Sequence, residues 1–376
     1  VVLAVRMAVL GCGRVGRTLV YMASSTGRFE EVLAVDVDPR ALSSVEGFEG
    51  VKPVNVDVLS GELVKVLKGL DVVCEALPGR LGFKALRSCI EAGVDVASAS
   101  YMPEDPTQLD PPAREASVTI VPDCGVAPGI SNLLAGRAYA LMDELLELSI
   151  KVGGLPSNPN VPLKHVASWS LEDLVEEYTR RPKLIREGKV VEVEPLSGYE
   201  VLRVPGLGLF ECFYTDGLRT MLKTIRARGM YEKTIRHRGH VEALRALTSL
   251  GLLSSERLDG IEMRSLLVKL LSRAWQGLEE DLLVLLVDAL GIKEGRRARL
   301  SFKLIAQGSP PPSITATAAM CLSVASMLAE GLVKGPGVVT PEELGMDERV
   351  YEELQARLKG AGFTVEEYWG GQGGLS

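Results

Sequence analysis

The stretch "MAVLGCGRVGRTLVYMA" runs an apolar strand into Gly11-x-Gly13-x-x-Gly16, then into a helical pattern carried by Leu19, Val20 and Ala23. Twenty residues past Gly16, the next strand-like run, "VLAVDVD", reaches Asp36. A glycine motif alone says little. With a strand before it, a helix after it and an acid at that distance, it predicts a βαβ unit that binds a dinucleotide. Gly11 permits the tight turn, Gly13 lets backbone N–H groups approach the pyrophosphate, and Gly16 allows the helix to pack closely. Arg14 and Val15 open that helix, whose positive end faces the anion. Asp36, followed by Val37, can accept hydrogen bonds from the adenosine ribose and repels a 2'-phosphate, which favours NAD. Arg40 nearby keeps NADP open, and a strand-helix turn without ligand is the bland alternative.

Four further runs follow at the pace of alternating strands and helices: "VKPVNVDV" (51–58), "DVVCEALP" (71–78), "VDVASAS" (94–100) and "VTIVPDCG" (118–125). They are apolar nearly throughout, as strands of a parallel sheet covered on both faces must be. In such a sheet the carboxyl ends of the strands face the nucleotide. That puts Asp57 near the adenine, Ala76, Leu77 and Pro78 near the nicotinamide ribose, and Asp123 near the ring. Asp123 is a candidate to orient or deprotonate an amine, and equally a cap for its own loop. The segment after it, "VAPGISNLLAGRAYALMDEL", predicts a helix with Pro128 in its first turn.

A chain of 376 residues is too long for one ordinary core. The expected fold is α/β: a Rossmann-type doubly wound parallel sheet plus an α+β substrate domain with a mixed or antiparallel sheet. The expected divisions are a nucleotide-binding domain over 1–125, a substrate and oligomerisation domain over 126–312, and C-terminal helices over 313–376 that return to the first domain. The net charge of -7 argues against a nucleic-acid partner. Six cysteines without a CxxC pair suggest neither a disulfide framework nor a metal site, and fit a cytoplasmic protein. The apolar run "LLVLLV" (282–287) is far short of a membrane span.

From about residue 147 the pattern becomes antiparallel. "ELSIKVGGLP" reads as a strand, "SLEDLVEEYTRR" as a helix opened by Ser170, and "PKLIREGKVVEVEPL" as a hairpin around Glu187-Gly188. "DLLVLLVDALG" and "RARLSFKLIA" form another hairpin, and a small-residue helix is expected over about 314–332. An exposed mixed sheet commonly pairs with its own copy, so a homodimer is expected. Between Arg219 and His240 stand seven basic residues and one acid, Glu232. Read as extended chain, "EKTIRHRGH" (232–240) puts Arg236, Arg238 and His240 on one face, suited to grip a carboxylate. Asp216 is a candidate partner for an amine or an Asx turn before Gly217, with Thr215 beside it and Tyr178 at the end of its helix.

These segments resemble a known family. "GCGRVG" with "VDVD", "VPDCGVAPGISNLLAG", "VGGLP", "SLEDLVEEYTRRPKLIREGKVVEVEPLS", "YTDGLRT" and "KTIRHRGH" are similar, in the same order, to the saccharopine dehydrogenase superfamily. Within it the chain most resembles the L-lysine 6-dehydrogenases. Saccharopine reductases carry Leu-Asp-Pro-Gly-Ile-Asp-His where this chain has Val126 to Asn132, so Ala127 stands in place of the family's catalytic aspartate. "YTDGLRT" departs from the Thr-Ser-Gly-Gly of lysine dehydrogenases. The resemblance implies oxidation of the ε-amine of lysine by NAD, giving ammonia and 2-aminoadipate 6-semialdehyde, which cyclises to piperideine-6-carboxylate. Asp123 and His240 become the candidates for base or water activation, with Arg236 and Arg238 on the α-carboxylate. Saccharopine dehydrogenase, or a related enzyme joining an amine to a carbonyl acid, is the enzymatic alternative. A non-catalytic NAD-binding sensor is the alternative of another class.

Overall fold

The computed structural model describes residues 5–167, 170–275 and 280–370. It divides into two compact units, 1–140 with 314–364, and 141–313 with 365–376.

The first unit begins with β1 (Val5–Leu10), α1 (Arg14–Ser25), β2 (Phe29–Asp36), α2 (Pro39–Ser43), β3 (Val51–Asn55), α3 (Glu62–Leu67) and β4 (Val72–Glu75). It continues with α4 (Gly79–Ala92), β5 (Asp95–Ser98), α5 (Asp110–Glu115), β6 (Thr119–Val121) and α6 (Ile130–Leu141). All pairings are parallel, in the order β3-β2-β1-β4-β5-β6. The order reverses between β1 and β4, and ligands of such sheets bind beyond the strand ends at that point. The central strands carry the core: Met7 to Leu10 and Val72 to Cys74 are wholly buried. The helix expected to start in the turn at Pro128 starts instead at Ile130, after a tight loop in which Gly125 and Gly129 pair.

The second unit holds β7 (Glu144–Pro156), α7 (Leu171–Glu177), β8 (Lys183–Arg186), β9 (Lys189–Glu192), β10 (Glu200–Val204) and β11 (Gly208–Thr215). After α8 (Met221–Thr224) and β12 (Gly229–His237) come α9 (His240–Ser249), the short strands β13 (Arg257–Leu258) and β14 (Ile261–Glu262), and α10 (Met263–Ala274). The unit closes with the long hairpin of β15 (Asp281–Lys293) and β16 (Arg296–Gly308). Its sheet is mixed, ordered β10-β11-β12-β7-β15-β16, with β12 and β7 parallel. Ser170 caps α7 by accepting the Asp173 N–H at 3.2 Å. At the β8–β9 turn, Glu187 and Gly188 both take positive φ, 50° and 75°, the backbone a two-residue hairpin loop demands.

α11 (Pro312–Ala329), β17 (Gly337–Val338), α12 (Pro341–Met346), α13 (Glu348–Gly360) and β18 (Glu366–Gly370) complete the chain. α11 has the length and hydropathy to cross a membrane, but 78% of it is buried, so it serves as a core helix. In the first unit its Cys321 lies 3.5 Å from the Ala97 carbonyl of β5. β17 extends the parallel sheet beside β6. Residues 126–140, expected with the second domain, belong to the first unit. The reason is a glycine contact: a Cβ on Gly136 of α6 would stand 1.9 Å from the Glu342 carbonyl, and one on Gly345 of α12 1.9 Å from that of Leu133. Only glycine lets these two backbones touch. β18, expected among the returning helices, joins the second unit's sheet against β16.

Candidate functional site

In the first unit the three glycines differ in what forces them to be glycine. Gly11 sits at φ +90°, and a Cβ there would meet the Ala76 carbonyl at 2.7 Å. A Cβ on Gly16 would lie 1.8 Å from the Gly11 carbonyl. These two are fixed by the protein's own packing. Gly13, at the N-cap of α1, is exposed, and a Cβ on it would meet nothing within 4 Å. Bare backbone at a helix N-terminus, facing open space, is what an approaching pyrophosphate needs. The residues therefore fit a dinucleotide.

Asp36 ends β2 and ties the turn to the next strand: its carboxylate accepts the Cys12 N–H at 2.7 Å and the Asp38 N–H at 2.8 Å. Burial and the Asp36 charge push the Cys12 thiol up to about 12, so it stays neutral. Arg14 and Val37 are exposed and Val15 half-buried. Arg40 is exposed, its Nε turned to Asp38 at 3.4 Å. Asp57 is exposed and accepts the Leu59 N–H at 2.9 Å. Ala76, Leu77 and Pro78 leave β4 beside Gly11, and beneath them lies Glu75, wholly buried and absent from the expected site. Asp123 follows β6, buried and at φ 56°, while Ala127 is half-buried.

In the second unit, Glu232, Thr234 and Arg236 share one face of β12 because side chains alternate along a strand. Thr215 and Glu211 of β11 stand opposite Glu232 and Arg236. Arg236 is 1% exposed, and a buried guanidinium requires partners. Its Nη2 bonds Glu177 at 3.1 and 3.4 Å, its Nη1 the Ile235 carbonyl at 3.0 Å, and its Nε the Tyr178 hydroxyl at 3.5 Å. Tyr178 also lies 3.1 Å from His240 Nε2, while His240 Nδ1 lies 2.5 Å from the Leu163 carbonyl. A carbonyl only accepts, so Nδ1 carries the proton, Nε2 accepts from the Tyr178 hydroxyl, and that oxygen accepts from Arg236. Burial and the charge of Arg236 hold the imidazole down to about 3. His240 is thus a neutral, fully engaged group, which corrects its expected part as a base.

The expected extended face also changes. β12 stops at His237, Gly239 turns the chain at φ 94°, and His240 opens α9. Arg238 is left exposed on the turn. Glu211 fills the N-terminus of α9, accepting the Gly239 N–H at 2.9 Å and the Val241 N–H at 2.6 Å. Lys233 is buried against Glu200 at 2.6 Å, and Lys151 takes that acid's other oxygen at 2.8 Å. The two buried cations of the basic stretch, Lys233 and Arg236, are thus paired with the protein's own acids.

What stands out is acid. Glu232 is 4% exposed, with Oε1 at 3.4 Å from the Thr215 hydroxyl and Oε2 without a hydrogen-bond partner among the described residues. Burial, then the charges of Glu177 and Asp216, push its carboxyl up to about 8. Gly217 makes room for it, since a Cβ there would lie 1.7 Å from Oε1. Asp216 is half-buried and accepts the Lys183 N–H at 3.3 Å. Thr215 lies 3.0 Å from Thr234, both hydroxyls buried. The structure thus gathers Arg236, Tyr178, His240 and Thr215, adds Glu177 and Glu232, and leaves Arg238 outside. The signal for Glu232 was in the sequence: an acid at i with Thr234 at i+2 and Arg236 at i+4.

Comparison with known proteins gives two family matches, the saccharopine dehydrogenase NADP binding domain over residues 7–121 and the saccharopine dehydrogenase C-terminal domain over 125–363. The chain is 28% identical over 237 residues to the alpha-aminoadipic semialdehyde synthase of Arabidopsis thaliana, covering 57% of this chain and 22% of that protein. It is 26% identical over 246 residues to the saccharopine dehydrogenase [NADP(+), L-glutamate-forming] of Saccharomyces cerevisiae, covering 59% and 53%. It therefore spans from about a fifth to about half the length of these curated relatives. The apo saccharopine dehydrogenase (L-Glu forming) from Saccharomyces cerevisiae has the same fold, with a TM-score of 0.80 at 18% identity over 97% of this chain and 99% of that one. With one family domain matched over 125–363 and its companion over nearly all that precedes it, the chain belongs to the saccharopine dehydrogenase family.

Proposed function

We propose that this chain is a nicotinamide-dependent oxidoreductase that oxidises the side-chain amine of a diamino acid, with L-lysine as substrate and NAD as cofactor. The carrying observation is the buried acid of the second unit: Glu232, with an oxygen unpartnered among the described residues, pushed up to about 8 by burial and then by the field of Glu177 and Asp216. Such a field attracts a cation. Lysine brings two ammonium groups against one carboxylate, whereas saccharopine brings two against three carboxylates. Ala127, where saccharopine reductases carry an aspartate, points the same way.

In this reading Gly11, Gly13, Gly16, Asp36 and the Ala76–Pro78 loop hold the nucleotide. Asp36 at the end of β2 disfavours a 2'-phosphate. The bound nucleotide supplies a hydride acceptor. Glu177, with a side chain 20% exposed, and Asp216 draw in the ammonium. Only the neutral amine can expel a hydride, and a free lysine amine has a pKa of about 10.4. Glu232, poised at about 8, takes the proton. Its side chain is the base that His240 cannot be. Arg236, sharing its charge with Glu177, is the cation for the α-carboxylate, Arg238 lying outside the cluster. Water then adds to the substrate imine, ammonia leaves, and the semialdehyde cyclises.

A second reading, oxidation of saccharopine with NADP, is favoured by the names of the relatives and of the nucleotide-domain family. The test is formation of reduced nucleotide from lysine and from saccharopine in parallel, each with NAD and with NADP. Turnover of lysine with ammonia release supports the first reading. Turnover of saccharopine alone refutes it in favour of the second.

A further inference from the structure

Glu75 ends β4 at the point where the strand order reverses, and its carboxyl is wholly buried. Donors converge on it: the Leu77 N–H at 2.8 Å and the Ser100 hydroxyl at 2.6 Å on Oε1, the Ser98 hydroxyl on Oε2, and the Ser100 N–H. The Ser100 oxygen also lies 2.5 Å from the Leu77 carbonyl. These contacts can be counted in protons. A serine hydroxyl donates once, and a carbonyl and a carboxylate only accept. Ser100 therefore satisfies either Glu75 or Leu77, and the remaining pair of oxygens, closer than van der Waals contact, would repel. A second proton removes the conflict, and of the two partners of Ser100 only the carboxyl of Glu75 can carry one.

We propose that Glu75 is a protonated positioning residue: it donates to Ser100, Ser100 donates to the Leu77 carbonyl, and the relay fastens the Ala76–Pro78 loop against Gly11 for nucleotide binding. The surroundings agree. Burial pushes the carboxyl up, against the pull of the Ser100, Ser98 and Leu77 donors. The titratable groups that feel its charge are the thiols of Cys89 on α4, Cys124 after β6 and Cys321 on α11. All three are pushed up and so neutral, Cys89 and Cys124 first by burial, Cys321 first by its bond with Cys74. Among the described residues no cation contributes to the shift of Glu75. Deprotonation breaks the relay and loosens the loop, so nucleotide affinity should fall as pH rises through the raised value.

The inference rests on the nucleotide-binding unit and does not depend on which amine is oxidised. The probe is NAD alone, with NADP in parallel, titrated by calorimetry from neutral to alkaline pH against wild type, Glu75→Gln and Glu75→Ala. Glutamine does not titrate, and its amide nitrogen can donate to Ser100 but, unlike a carboxyl oxygen, cannot also accept the Leu77 N–H. It should bind between wild type and alanine at neutral pH and stay flat with pH, while alanine weakens binding by about tenfold. Infrared difference spectra should show a protonated-carboxyl band in wild type that Glu75→Gln lacks. Absence of that band, or a glutamine variant as weak as alanine beside a pH-independent wild type, would overturn the proposal.

Discussion

Replacing Glu232 by glutamine tests the charge state on which the proposed chemistry rests. The carboxyl moves from an ordinary 4.5 to about 8 on folding. The folded state then binds the proton more tightly than the unfolded chain between those values, so stability falls as pH rises from 4.5 to about 8 and levels off above. The difference corresponds to roughly 5 kcal/mol at the alkaline end. Glutamine does not titrate. It leaves a buried amide beside Gly217 and Thr215, at a cost of about 1–3 kcal/mol that is the same at every pH. Wild type should therefore be the more stable protein near pH 4.5 and the less stable one above about pH 8, with the relative melting temperature moving by on the order of 10 °C across the interval.

Thermal unfolding of both proteins across that range supplies the measurement. Parallel curves would refute the reasoning, since they would mean that Glu232 ionises normally or that another group balances it. Turnover adds a second arm. The acid limb of the kcat/KM profile for lysine should lie near 8 in wild type and disappear in Glu232→Gln together with most of the rate. General-base removal commonly costs about 10²–10⁴ in rate. A variant that keeps both the limb and the rate would return the proton to Asp123 or to solvent.

Gly13→Ala should fold with stability within about 1 kcal/mol of wild type and yet lose NAD binding, because its Cβ meets only the space meant for phosphate. Gly16→Ala should destabilise the first unit itself, since its Cβ would stand 1.8 Å from the Gly11 carbonyl; thermal unfolding and NAD titration separate the two cases. Tyr178→Phe removes the hydroxyl between Arg236 and His240 and should cost about 1–3 kcal/mol, read from denaturant titration, with no rescue at any pH. Asp36→Ser should shift the ratio of NADP to NAD affinity by about tenfold or more towards NADP, measured by calorimetry.

The first unit was legible because its signals are local. Glycines at fixed spacing, apolar runs and an acid after β2 each act within one βαβ step, and the strand order follows from them. Glu75 escaped although the signal was visible: a lone acid in an otherwise apolar strand has to find donors, and the "SAS" that ends the next strand supplies them. The second unit was harder. A period of two was carried through Gly239 to His240, where positive φ at the glycine ends the strand; Val241, Leu244 and Glu242 carried the competing helical pattern. No local rule pairs Arg236 with Glu177 across 59 residues. Long-range ion pairs are set by the packing of α7 on the sheet, which a window of sequence does not contain.

A count of basic residues therefore misjudges what the site wants. Three positive features between 219 and 240 are claimed by the protein's own acids: Lys233 by Glu200, Arg236 by Glu177, and the N-terminus of α9 by Glu211. Burial forces these matches, because an unpaired charge out of water costs more than any gain from waiting for a ligand. The exception is Glu232, whose excess is met by protonation instead of by a cation. A buried acid that keeps its proton at neutral pH gives it up most readily when a positive group arrives beside it. On the proposed reading that group is the ammonium of the substrate, and binding itself lowers the pKa of Glu232 and prepares the base that the amine requires.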